Sequence, residues 1–209
     1  MNPELVEGLL KASGANSILE VNSVIISDFV MESRSYDVSK FSDMIDNCPQ
    51  WAAFVATHIY VDHVLDTFLN AYCARPEAVN PSKRRMSVLD KSSFLYGVGV
   101  LSEGTHSSLK KVNSIRNKFA HELSFEVTTK EISEYRSAFT SCYPERLRSR
   151  KEYLNASEGK VELKILLKLA VLFLEEERLA FMISTLRRAR SEAELQEVLA
   201  LAQRSLQKT

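Results

Sequence analysis

Apolar residues recur every three or four positions along most of the chain, the spacing typical of amphipathic helices. The clearest case is residues 51–74, whose wide apolar face consists of Phe54, Val55, Ile59, Val61, Leu65, Phe68, Leu69 and Tyr72. A predicted helix from Ser102 to about His121 carries a similar stripe, made of Leu109, Val112, Ile115 and Phe119. No segment alternates convincingly between apolar and polar positions, as a half-buried strand would. The pattern therefore predicts an all-α fold.

Local start and stop signals divide the rest of the chain into further helices. The pattern predicts them over residues 3–12, 17–33, 41–45, 88–96 and 160–189, with Gly97 and Gly99 ending the fourth. Two capping boxes, in which a Ser or Thr is followed three residues later by Glu, mark further helix starts. Thr128 begins a helix that ends before Pro144, and Ser191 begins a separate last helix within residues 191–209.

Composition is compatible with one domain. The chain has 209 residues, of which 45% are hydrophobic, and only 6 Gly and 5 Pro, which favours helices. This length is sufficient for one sizeable core, so we expect a single all-α domain over residues 1–209. The formal net charge is zero. Any phosphate-bearing partner must therefore be held by a local patch rather than by the overall charge.

The cysteine spacing and the hydropathy argue against a zinc protein, a secreted protein and a membrane-spanning protein. Cys48, Cys73 and Cys142 are scattered without a CxxC spacing, so we expect reduced thiols and no structural zinc. The first 14 residues have no signal-peptide pattern. The most apolar segment, residues 165–174, contains Lys168 and is too short to span a membrane. We therefore expect a cytoplasmic protein with no membrane partner and no cofactor.

The most specific chemistry lies at the end of the helix that begins near Ser102. Asn117 and His121 are four residues apart and share a helix face, and Arg116 lies about 100° around from Asn117. A guanidinium, an amide and an imidazole thus come within reach of one point. Together these groups could bind a phosphodiester and transfer a proton to or from it. Spacing alone also fits a structural interpretation, in which cationic side chains stabilise the C-terminal end of the helix dipole.

These residues carry a family resemblance. Arg116–His121 resembles the R-x(4–6)-H signature of the HEPN superfamily, which has a polar residue after the arginine. Two blocks ahead of it, Tyr60–Leu69 and Phe94–Leu101, are similar to the mannitol operon repressor-like family. The match covers about residues 45–145. It implies a HEPN-like helical bundle, extended here by N- and C-terminal helices.

The resemblance also implies an activity. Many HEPN proteins are metal-independent endoribonucleases, in which the ribose 2′-OH attacks the adjacent phosphorus and leaves a 2′,3′-cyclic phosphate. On this chain, His121 would transfer the proton, Arg116 would stabilise the phosphate charge, and Asn117 would orient the phosphate or the histidine. The family's site forms between two protomers, so the resemblance implies a homodimer with RNA as its partner.

Two alternatives stay open. The mannitol repressor branch is described as regulatory, and a shared fold does not imply a shared function. If the chain acts like that branch, it is a non-catalytic transcriptional regulator or protein-interaction module. The third possibility is a toxin component controlled by an antitoxin partner.

A polar stripe on the predicted helix over residues 51–74 gives a weaker indication of a functional site. His58, Asp62 and Asp66 follow one another at intervals of four, which could hold a divalent ion but is more typical of the polar edge of a core helix. We expect no metal, and we hypothesise that Asp62 pairs with Arg116 and fixes its orientation.

Basic clusters offer possible contacts to RNA phosphates. The two candidate clusters are Lys83, Arg84 and Arg85, and Arg146, Arg148, Arg150 and Lys151. A third, at residues 187–190, lies at a predicted helix C-terminus, where positive charge is favoured in any case.

Overall fold

A computed structural model of the chain describes residues 3–79, 86–121, 127–143 and 160–206. The fold is all-α, as the apolar spacing predicts, and these described residues contain no strand. The helices are α1 (Pro3–Ser13), a 3₁₀ helix (Ile18–Glu20), α2 (Ser23–Glu32), α3 (Val38–Asn47), α4 (Gln50–Tyr72), α5 (Pro76–Val79), α6 (Val88–Gly97), α7 (Glu103–His121), α8 (Thr129–Cys142) and α9 (Lys160–Leu206). Across the same ranges, no helix combines the length and apolarity needed to cross a bilayer.

Helices α4 and α9 form the centre of the main core. Helix α9 packs against α2, α3, α4, α7 and α8, and α7 packs against α4, α6 and α8. The side chains of α4 that are buried at this centre include Phe54, Leu65 and Phe68. Aromatic rings fill the space between α8 and α9, where Phe139 stacks on Phe173 with their centroids 5.5 Å apart. Burial of these large apolar groups is the main stabilisation of the bundle.

A smaller hydrophobic cluster attaches the N-terminal helices to α9. Leu9 of α1 and Val30 of α2 are fully buried there against Leu186 of α9. A buried ion pair reinforces the junction, since Arg178 Nη2 donates to Glu175 Oε1 at 2.8 Å and to the Ser33 carbonyl at 2.6 Å. Helices α1 and α2 are therefore part of the packed molecule.

The largest differences from the predicted helix boundaries lie at residues 17–33 and at Ser191. The predicted helix over residues 17–33 is divided, because Asn22 adopts an extended conformation and its side chain caps α2 by accepting from the Val24 and Ile25 amides. The predicted start at Ser191 is wrong, since α9 continues through it as one helix of 47 residues. No Gly or Pro occurs between Lys160 and Leu206, and serine inside a helix costs only about 0.5 kcal/mol relative to alanine.

The first turn of α7 is held by a side chain of α9. Glu177 accepts hydrogen bonds from the Ser102 amide at 2.9 Å and from the Ser102 hydroxyl at 2.7 Å. The Thr105 hydroxyl donates to the same carboxylate at 2.5 Å, and the Ser102 hydroxyl accepts from the Thr105 amide. The predicted cap at Ser102 is therefore present, and Glu177 connects it to the core.

Candidate functional site

The core-facing stripe of α7 determines where the Arg-Asn-His motif points. Val112 and Ile115 are buried, and the ring centroids of Phe119 and Phe54 on α4 are 5.4 Å apart. The neighbouring face of α7, which carries Arg116 and Asn117, consequently lies along the edge of the core, where both side chains are half-buried.

This edge of α7 forms one wall of an open cleft of about 490 Å³. Residues of α4 form the opposite wall, and the beginning of α6 closes one side. The residues that line the cleft are His58, Asp62, Met86, Ser87, Val88, Leu89, Asn113, Arg116 and Asn117. The structure thus brings together three of the residues that the sequence assigns to the site, Asp62, Arg116 and Asn117.

Arg116 is oriented by the residue that follows it. Its Nη1 donates a hydrogen bond to Asn117 Oδ1 at 3.1 Å. A guanidinium has five N–H donors in a fixed plane, so one bond to an amide leaves capacity for a bidentate contact to a phosphate. The arginine is therefore suited to binding an anion in the cleft.

His121 lies at the rim rather than inside. It is the last residue of α7, it is exposed, and it is not one of the residues that line the cleft. It is one helical turn beyond Asn117 on the same face. The end of α7 is attached to α8 nearby, where Lys118 Nζ donates to Glu131 Oε1 at 2.5 Å. The predicted trio is thus divided between the cleft and its edge.

His58 faces the arginine from α4 and is half-buried. Burial and the positive charge of Arg116 lower the pKa of this imidazole, as Lys91 also does. Asp62 and a hydrogen bond with Asn113 act in the opposite direction, but the pKa stays below its ordinary value. The sequence gives His58 only as part of a polar stripe. Its position four residues before Asp62 was the available signal that it belongs to the same wall.

Asp62 has a partner that the sequence did not reveal. The Lys91 ammonium of α6 is completely buried and lies 2.5 Å from Asp62 Oδ1 and 2.7 Å from Asp66 Oδ1. The hypothesis that Asp62 pairs with Arg116 therefore missed this buried cation, although both residues line one cleft. The stripe's alternative role as a metal site has no support, since no cluster of potential metal ligands occurs within the described ranges.

The two basic clusters predicted to contact RNA lie outside the described residues. They are Lys83, Arg84 and Arg85, and Arg146, Arg148, Arg150 and Lys151. The third cluster lies within α9, where Arg187 and Arg188 are exposed and Arg190 Nε donates to Glu194 Oε1 at 2.9 Å. It does not mark a helix end, contrary to the sequence prediction.

An exposed apolar stripe runs along α4 beside the cleft. Trp51 and Ile59 are 58% and 60% exposed, and Val55 lies between them. The sequence assigned Val55 and Ile59 to the core-facing side, which is wrong because α4 faces the core through Phe54, Val61 and Leu65. Residues spaced by three or four share a helix face, so the stripe continues directly into His58 and Asp62.

Comparisons of the chain with protein-family models, curated proteins and solved structures found no match.

Proposed function

We propose that this protein is a metal-independent endoribonuclease of the HEPN type that acts as a homodimer. The observation that carries the proposal is the open cleft in which Arg116 is held by Asn117, with His121 one turn farther along the same helix. The cleft is large enough for a phosphodiester and its ribose, and it offers a guanidinium whose planar set of donors suits a phosphate.

The proposed reaction needs no group beyond protein side chains and RNA. The 2′-hydroxyl loses its proton to a base and its oxygen attacks the phosphorus. The bond from phosphorus to the 5′-oxygen breaks, that oxygen gains a proton, and a 2′,3′-cyclic phosphate and a 5′-hydroxyl result. Arg116 stabilises the charge that builds on the non-bridging oxygens. His121 donates a proton to the departing 5′-oxygen, and its exposure at the rim allows this contact.

A second copy of the chain completes the proposed site. The apolar stripe of Trp51, Val55 and Ile59 borders the cleft, and self-association through it would bring two clefts together. A dimer would also place the His121 side chains of both protomers near a shared groove. We propose that the enzyme acts on cytoplasmic RNA and that an antitoxin-like protein controls it by covering this groove.

Two observations favour a second candidate function, a non-catalytic regulator or interaction module. His121 is not among the cleft-lining residues, and Arg116 already has a hydrogen-bond partner within its own helix. In that case the motif orders the end of α7, and the apolar stripe binds a protein partner.

Cleavage of a single-stranded RNA oligonucleotide in excess chelator separates the two functions. Arg116→Ala should slow cleavage about 10²–10³-fold through loss of charge stabilisation. His121→Ala should slow it about 10²–10⁴-fold through loss of proton transfer. Lys110→Ala removes an exposed charge from the same helix outside the cleft and should leave the rate unchanged.

The products should carry 2′,3′-cyclic phosphate ends. Wild-type protein that is folded yet leaves RNA intact would reject the nuclease and favour the regulator. Equal cleavage by His121→Ala would show that a different site is responsible.

A further inference from the structure

Cleavage by this route requires two proton transfers. One group must remove the proton from the 2′-hydroxyl, and another must supply a proton to the 5′-oxygen. His121, at the edge of the cleft, can do one of these, and each protomer has a second imidazole inside the cleft, that of His58.

His58 is placed to approach a phosphodiester bound by Arg116. The two residues face each other across the cleft from α4 and α7, and Asn113, which hydrogen-bonds His58, lies one turn before Arg116 and Asn117 on α7. A phosphate held by the guanidinium would therefore lie between the two walls, with its ribose within reach of the imidazole. Asp62, one turn farther along α4, lines the same wall.

The charges around His58 favour its neutral form. Burial, Arg116 on α7 and Lys91 on α6 all disfavour a positive imidazole, while Asp62 on α4 and the Asn113 hydrogen bond offset only part of this. A neutral imidazole has a free lone pair near pH 7 and can accept a proton. His121, exposed at the end of α7, remains to contact the departing 5′-oxygen.

We propose that His58 is a second catalytic residue, the general base that removes the 2′-hydroxyl proton, while His121 protonates the 5′-oxygen. The assignment rests on the proposed ribonuclease function. One proton enters His58 as the bond from the 2′-oxygen to phosphorus forms. Another leaves His121 as the bond from phosphorus to the 5′-oxygen breaks, so atoms and charges balance.

The first test compares His58→Ala with His63→Ala. His63 lies on the same helix, is exposed, and contacts the Ser35 carbonyl at 2.8 Å away from the cleft. Cleavage should fall at least about 100-fold in His58→Ala and stay at the wild-type rate in His63→Ala. His58→Asn, which keeps a polar group of similar size, replaces the alanine variant if circular dichroism shows the latter to be unfolded.

The pH profile gives a readout that a structural role would not change. Wild-type kcat/KM should fall as the pH drops through the pKa of His58, because a protonated imidazole cannot accept the 2′-proton. That fall should occur below the ordinary pKa range of histidine and should be absent from the residual activity of His58→Ala.

A modified substrate assigns the two histidines to their steps. RNA with sulfur in place of the 5′-bridging oxygen releases a thiolate, which needs no proton because thiols have a pKa of about 8.5. This substrate should restore cleavage by His121→Ala but not by His58→Ala. Restoration of His58→Ala, or equal activity of His58→Ala and wild type on normal RNA, overturns the assignment alone. A wild type that cleaves no RNA overturns the ribonuclease proposal and this assignment together.

Discussion

At the scale of single residues, the buried Lys91 is the most consequential side chain near the cleft. It is 0% exposed, and its ammonium contacts two carboxylates of the neighbouring helix, those of Asp62 and Asp66. A buried charge is tolerated only when it is paired, so this ammonium holds α6 and α4 in a defined relation. One of these contacts is to Oδ1 of Asp62, which lines the cleft.

Lys91→Met should therefore destabilise the protein by about 3 kcal/mol, because two carboxylates lose the cation that compensates them. Urea unfolding at neutral pH measures this change. Lys40→Met is the matched control, since Lys40 contacts Asp37 at 3.5 Å with 82% of its side chain exposed, and it should cost less than about 1 kcal/mol. Equal losses for the two variants would contradict the structural role of Lys91.

Sequence reasoning at this scale succeeds for residues that share one helix. Arg116 and Asn117 lie together on α7, as their spacing requires, and their side chains are hydrogen-bonded. It fails for partners that belong to different helices. Lys91 and His58 acquire their roles from the way α4, α6 and α7 cross, and the spacing along any one of them does not contain that information.

At the scale of elements, the turn between α6 and α7 depends on one glycine. Gly99 has a φ of +76°, in the left-handed region, and its amide donates to the Tyr96 carbonyl at 2.9 Å. Gly97, two residues earlier, is the last residue of α6 and has an ordinary helical conformation. An added Cβ would meet nothing within 4 Å at either position. The two glycines therefore differ in backbone conformation and not in available space.

This pair gives a matched prediction for thermal or urea unfolding. Gly99→Ala should destabilise the protein by about 1–2 kcal/mol, because an L-residue is strained at positive φ. Gly97→Ala should stabilise it by about 0.4–1 kcal/mol, because alanine reduces the entropy of the unfolded chain. The opposite order of stabilities would show that side-chain crowding, and not backbone conformation, governs this turn.

Helix existence was easier to predict than helix boundaries. The capping box at Thr128 begins α8 as its sequence indicates, with Thr128 extended and accepting from the Glu131 amide. The same pattern at Ser191 begins nothing, because the preceding residues are already helical and Ala189 is packed against the molecule. A capping sequence acts only where the chain before it leaves the helical conformation.

At the scale of the whole molecule, the described residues include two exposed apolar stripes through which copies of the chain could associate. One is the stripe of Trp51, Val55 and Ile59 beside the cleft. The other lies near the end of α9, where Leu195, Val198, Leu199 and Leu201 are exposed. Helix α9 is about 70 Å long at 1.5 Å per residue, and none of these residues lines the cleft. Only the first surface would bring two clefts together.

We therefore expect Ile59→Asp to convert a dimer into a monomer of 23.7 kDa, measured by light scattering after size-exclusion chromatography. A charge at the centre of an apolar interface would be buried without a partner. Val24→Asp, at an exposed position on α2, should remain dimeric. A monomeric wild type would contradict the proposed assembly. Dissociation by Leu199→Asp but not by Ile59→Asp would place the interface on α9.

The carboxylate of Glu177 has a mechanical effect that reaches the far end of α7. It accepts hydrogen bonds from Ser102 and Thr105 at the first turn of α7. Arg116 lies about 20 Å farther along the axis of α7. Sliding or rotating α7 as a rigid rod would break these bonds before the guanidinium moved appreciably. Glu177 of α9 therefore fixes the axial position and rotation of α7, and with them the position of the motif at the other end of that helix.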